Sequence, residues 1–155
     1  QETAAAIASN FDLPVIVDPR LRERINFGDL PGQPREEFIA LWERGSRERE
    51  FVPPYGDSSR GAGERVESFV ASIYTELPMG EVVAVAHGGI IADFLLNICT
   101  PEVLAEIYTT FATEAYASQV VRNGSITVVE YTGAEKGIGH YRVKAIAMTT
   151  HLPAG

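Results

Sequence analysis

The residues from Glu81 to Leu96, EVVAVAHGGIIADFLL, restrict the possible folds of this chain more than any other stretch. Val82 to Ala86 is unbroken apolar and rich in β-branched residues, the pattern of a strand covered on both faces, as in a parallel sheet with helices above and below. His87 follows at once, then Gly88 and Gly89, and the spacing of Ile90, Ile91, Phe94, Leu95 and Leu96 predicts a helix pressed against the same sheet. The unit reads strand, sharp turn, helix. Where such a strand ends and its helix begins, free backbone N–H groups and the positive end of the helix dipole attract anions. An imidazole stands at that point. Two readings are open: His87 takes part in chemistry, or it caps a helix beside glycines that only permit a tight turn.

The rest of the chain bounds the choice. With 155 residues, 45% hydrophobic and 22% charged, the sequence suffices for one domain over residues 1–155 with a substantial core. No run has the length and apolarity of a membrane span, and QETAAAIASNFDLP at the start lacks the basic and apolar regions of a signal peptide. Cys99 is the single cysteine, and no Cys/His cluster has zinc-site spacing, so a cytoplasmic protein with no metal and no cofactor is expected. A net charge of −8 argues against nucleic acid as a partner and leaves room for a small anion at a local arginine cluster.

In chain order, Glu2 to Asn10 is rich in helix formers and opens without an N-cap, which suggests that the chain starts inside an element. Leu13 to Val17 is a short strand closed by Asp18-Pro19, and Leu21 to Gly32 is a charged loop whose side chains are free to serve a site. Within it Glu23 lies between Arg22 and Arg24, and taken by itself the pattern reads as a solvated loop carboxylate with cationic neighbours rather than a site residue. Arg35 to Arg49 predicts a charged helix with one apolar stripe, Phe38, Leu41 and Trp42. Phe51 to Gly63 is a long excursion, a lid or a connection, before a helix from Glu64 to Leu77 with Val66, Phe69, Val70 and Ile73 inward. Gly56-Asp57-Ser58-Ser59 has the start of an esterase nucleophile motif, but no downstream Asp-x-x-His follows. Thr100 and Pro101 begin a helix that runs to about Phe111. Ser125 to Tyr131 and Tyr141 to Ala147 alternate as strands and pair antiparallel, with His140 and His151 as ordinary, partly exposed polar residues.

Several motifs together carry a family resemblance: Thr3-Ala4 opening a helix, Leu21-Arg22-Glu23-Arg24 with Phe27-Gly28-Asp29, and Gly56-Asp57-Ser58-Ser59 before a helix with Arg65. To these are added His87-Gly88-Gly89 after a strand and Asn123-Gly124-Ser125-Ile126-Thr127. In order and spacing, over roughly Gln1 to Leu152, they resemble the histidine phosphatase, or phosphoglycerate mutase-like, superfamily. The resemblance implies an α/β fold, a three-layer α/β/α sandwich with a mostly parallel central sheet, and a site at the carboxyl ends of its strands. It implies a metal-independent phosphomonoester hydrolase that acts through a phosphohistidine, with a small phosphorylated substrate and neither nucleic acid nor membrane as partner. His87 matches the family's second histidine, which with Gly88 would bind the phosphoryl group, and Glu23 matches the acid that protonates the leaving oxygen and then activates water.

The sequence departs from the family in two respects. The Arg-His-Gly motif that carries the nucleophile is absent, since His87, His140 and His151 are the only histidines, and five positions rather than four separate Glu23 from Gly28. The expectation is a domain lacking its first strand-helix unit, roughly 30 residues or more, inactive by itself, with the empty slot in its sheet filled by a missing amino-terminal segment or by a second copy in a homo-oligomer. The alternatives are an inactive phosphate-ester-binding or regulatory module of the same fold, and a mutase-type phosphotransferase.

Overall fold

The computed structural model describes residues 2–109, 111, 121–133 and 138–153. Among the described residues the regular elements are five helices and one hairpin: α1 (Glu2–Ala8), α2 (Arg35–Arg47), α3 (Ser59–Glu76), α4 (Gly88–Ile98), α5 (Pro101–Ile107), β1 (Ile126–Tyr131) and β2 (Tyr141–Met148). Single 3-10 turns at Pro19–Leu21 and Ile138–His140 precede the site loop and β2. No helix among the described residues is long and apolar enough to cross a membrane.

Helix ends follow side-chain chemistry. The Ser58 hydroxyl accepts from the Gly61 N–H at 3.0 Å, so α3 starts at Ser59, earlier than the expected Glu64. Thr100 caps α5 with Pro101 at its first position, as expected, but α5 closes at Ile107, where Tyr108 takes over as the C-terminal cap. β1 and β2 pair antiparallel, Tyr131 opposite Tyr141 and Val129 opposite Val143, with register irregularities toward Ile126. There Ala147 adopts a φ of +48°, and its N–H donates to the Thr127 hydroxyl instead of continuing the ladder. The segment joining the two strands lies partly outside the described residues.

The core is the seam where α3 and α4 pack together, closed by α5 and β2. Ala62, Val66, Ile90, Leu95, Ile98 and Leu104 are buried there with Val143 and Ile146. Phe94 meets Tyr141 edge to face at 5.6 Å, which ties the hairpin to α4. Gly63 permits the close helix crossing, because a Cβ on it would stand 2.6 Å from both the Asp93 carbonyl and the Asn97 side chain.

The central sheet departs from expectation. Among the described residues the only sheet is this two-stranded antiparallel hairpin, and no mostly parallel central sheet exists. Residues 82–86 and 13–17 carry neither helix nor ladder, and Val83 and Ile16 are 71% and 84% exposed rather than buried. The physical reason is the lack of a partner: no backbone hydrogen bond joins residues 82–86 to any described residue, so the apolar run has the composition of a covered strand and, among the described residues, no strand beside it. The strand expected at residues 82–86 is therefore an irregular segment, exposed at Val82 and Val83 and half-buried at Val85 and Ala86, that ends at His87.

One charged network holds the helices to the loop that carries Glu23. Arg24 donates to both Asp93 carboxylate oxygens, at 2.7 and 2.9 Å, with each side chain about 96% buried. Its second terminal nitrogen reaches α2, at the Trp42 carbonyl (3.1 Å) and the Ser46 hydroxyl. Ser59 donates to Asp93 at 2.6 Å, and Arg49 donates to Ser59 and to the Leu96 carbonyl near the end of α4. Removing one member of such a pair leaves a buried charge uncompensated, at a cost of about 3–5 kcal/mol against a typical stability of about 5–15 kcal/mol. Arg24→Met is expected to lower stability by about 3–5 kcal/mol in urea denaturation, and Arg24→Met/Asp93→Leu to recover much of that loss. A loss below about 1 kcal/mol for the single variant, within the range of exposed pairs, would contradict this role.

Candidate active site

The site is built on the first turn of α4. His87 is its N-cap residue, extended at φ −77° and ψ 157°, exposed, with no side-chain cap bond. The first in-helix bond runs from the Ile91 N–H to the His87 carbonyl at 3.2 Å. The preceding N–H groups thus have no helical acceptor. Glu23 takes one of them, since its Oε2 accepts from Ile90 at 3.3 Å while Oε1 accepts from the Arg24 N–H at 2.9 Å. Among the described residues nothing accepts from Gly88 or Gly89, whose N–H groups stand beside His87 at the positive end of the helix.

Glu23 and Arg24 are buried, 7% and 3% exposed, so the reading of a solvated loop carboxylate is corrected. Five contacts fix the loop. Arg65 on α3 donates to the carbonyls of Arg20 (2.6 Å) and Arg22 (3.2 Å) and pairs with Asp57, which also pairs with Arg22 at 2.8 Å. The Asp57 N–H donates to the Arg24 carbonyl at 3.1 Å. Gly56, at φ +79°, lets the chains approach: a Cβ there would lie 2.2 Å from that same carbonyl. Gly56-Asp57-Ser58-Ser59 is accordingly used for loop anchoring, helix capping and the Asp93 network.

Burial pushes the Glu23 carboxyl above its ordinary value, and the nearby Asp93 charge adds to this, while the Arg24 and Ile90 N–H groups and the Arg24 guanidinium pull against it. The result is an acid that holds its proton more readily than a surface glutamate. Gly89 is needed beside it, because a Cβ would stand 2.6 Å from both Glu23 Oε2 and the edge of the Trp42 ring. Glu23 also lines an open cavity of about 290 Å³ whose walls come from the loop after Glu23 and from α2. His87 is outside that lining, although it was expected to face a cavity. No three His, Cys, Asp or Glu side chains among the described residues cluster as metal ligands would.

Sequence reasoning singled out His87, Gly88 and Glu23, and all three lie at or reach the start of α4. It missed Asp93, Trp42 and Ser59 as supports of Glu23 and its neighbour Arg24. The signal for Asp93 is weak, an acid inside the otherwise apolar GGIIADFLLNI.

No curated protein matches the chain. Among solved structures, one named Mycobacterial hydrolase 1 resembles it with a TM-score of 0.61 at 21% identity, over 96% of this chain and 72% of that one. At that identity the likeness concerns the fold. The profile of the histidine phosphatase superfamily (branch 1) matches residues 1–144. A match over that share of the chain identifies the protein as a member of the histidine phosphatase superfamily.

Proposed function

We propose that this chain forms the larger part of a single histidine-phosphatase domain that hydrolyses small phosphomonoesters without a metal, through a phosphohistidine whose nucleophile lies outside these 155 residues. The observation that carries the reading is the buried Glu23 carboxylate, hydrogen-bonded to the first turn of the helix that His87 heads. In this reading the N–H groups of Gly88 and Gly89 and the His87 imidazole neutralise charge on the transferring phosphoryl group. Glu23, its proton held by burial, donates it to the leaving oxygen and afterwards activates water against the phosphohistidine. The exposed apolar segments at residues 13–17 and 82–86 support a further strand-forming segment that would pair with them.

The raised Glu23 carboxyl has a thermodynamic consequence. A carboxyl held above its unfolded value makes the folded state bind the proton more tightly, so stability falls as pH rises from the unfolded value through the folded one. Glu23→Gln, which cannot ionise, is expected to be more stable than the wild type at pH 7.5, with the difference vanishing near pH 4. Denaturation at both pH values measures it, and a Gln variant less stable at pH 7.5 would show that the ionised carboxylate is favoured.

The 155-residue chain alone is expected to form no phosphoenzyme and to hydrolyse p-nitrophenyl phosphate at background rate, because its remaining groups stabilise charge without supplying a covalent intermediate. Robust turnover abolished by His87→Ala would overturn this division of labour. With these apolar segments exposed and without a ladder among the described residues, the chain is also expected to self-associate, and Val83→Lys to reduce association in light scattering. A wild-type monomer at about 100 µM, a concentration well inside the range where exposed edges aggregate, would contradict the open-edge reading.

A further inference from the structure

The cavity beside Glu23 is apolar on nearly every wall. Ile25 forms its floor, and Phe27, Phe38, Ile39 and Trp42 form its sides, with Asn26 the one neutral polar residue. Phe27 meets Phe38 at 5.6 Å, and Phe38 lies 6.1 Å from Trp42, so a row of rings leads outward from the acid. The row is anchored at its inner end. The Arg24 guanidinium lies 4.0 Å over the Trp42 ring, and the edge of that ring and Glu23 Oε2 converge on Gly89 at the helix start. At the outer end Phe27 is 58% exposed, an apolar side chain held in water at the mouth.

We infer that this cavity receives the alcohol part of the substrate, and that the protein takes phosphomonoesters of aromatic or otherwise apolar alcohols. The inference rests on the phosphatase reading above. As the phosphoryl group passes to the nucleophilic histidine of that reading, an N–P bond forms, the O–P bond breaks, the bridging oxygen takes the Glu23 proton, and the free alcohol departs. The alcohol therefore lies on the side of Glu23, where the rings are. A cavity of about 150 Å³ takes a benzene, so about 290 Å³ accommodates one ring with substituents. No lysine or arginine lines the cavity, and its one ionisable wall residue is an acid. A second carboxylate or phosphate on the alcohol would leave water for apolar walls that offer it no ion-pairing side chain, which disfavours bisphosphates and phosphoglycerates.

Trp42 is the single tryptophan and a wall of the cavity, so its emission reports occupancy. The 155-residue chain is titrated with phenyl phosphate, 3-phosphoglycerate and inorganic phosphate, with affinities from calorimetry and location from Trp42 fluorescence. Phenyl phosphate is expected to change the emission and to bind about tenfold or more tightly than either of the others, the scale of burying one ring. Phe27→Ala, a change at an exposed side chain, is expected to weaken phenyl phosphate several-fold more than inorganic phosphate. If 3-phosphoglycerate binds as well as phenyl phosphate, or if phenyl phosphate binds without affecting Trp42, the assignment of the cavity is wrong and the phosphate site stands. If neither inorganic phosphate nor either ester binds, the phosphatase reading fails and this inference with it.

Discussion

The structure depends on one buried ion pair, Arg24 with Asp93. Arg24 lies on an irregular loop, and its guanidinium is the point at which α2, the seam of α3 and α4, and the site meet. Asp93 sits on the buried face of α4, where a lone carboxylate would be strongly disfavoured, so the pair must form for either residue to be inside. Once Arg24 is fixed, the backbone next to it is fixed too, and Glu23 is held against the first turn of α4 through the Ile90 N–H. The polar chain continues through Ser59 and Arg49 to the Leu96 carbonyl near the far end of that helix. Each buried hydrogen-bonding group along it depends on the next, which selects one arrangement of the helices over others that would bury the same apolar area.

The site places an acid in conflicting surroundings. Burial and the nearby Asp93 favour the protonated form of Glu23, whereas two backbone N–H groups and Arg24 favour the ionised form. A group balanced in this way can both donate and accept a proton in successive steps, which a fully paired surface glutamate does less well. The same helix start offers the N–H groups of Gly88 and Gly89 to an anion. The tension at Glu23 is tolerated because the Arg24 network and the α3–α4 core hold the loop against it.

Much of this was legible in the sequence, for local reasons. The α4 start follows from His-Gly-Gly before an apolar period, α5 from Thr100-Pro101, and the hairpin from β-branched alternation. The buried network was not legible, because Arg24 and Asp93 are 69 positions apart and nothing local marks Arg24 as different from Arg22, which stays exposed on Asp57. The central sheet was misjudged for a related reason. The run at residues 82–86 states that its side chains require cover on both faces, but a ladder is a property of two segments, and no described residue supplies the second.

The central claim is that the start of α4, with Glu23 against it, is a phosphate site. The most direct test is an NMR titration of the 15N-labelled chain with inorganic phosphate. The account predicts that the Gly88 and Gly89 amides and the His87 ring shift first and saturate together, with Ile90 moving less because its N–H is already given to Glu23. Saturating shifts confined to other surfaces, with Gly88 and Gly89 unmoved, would contradict it.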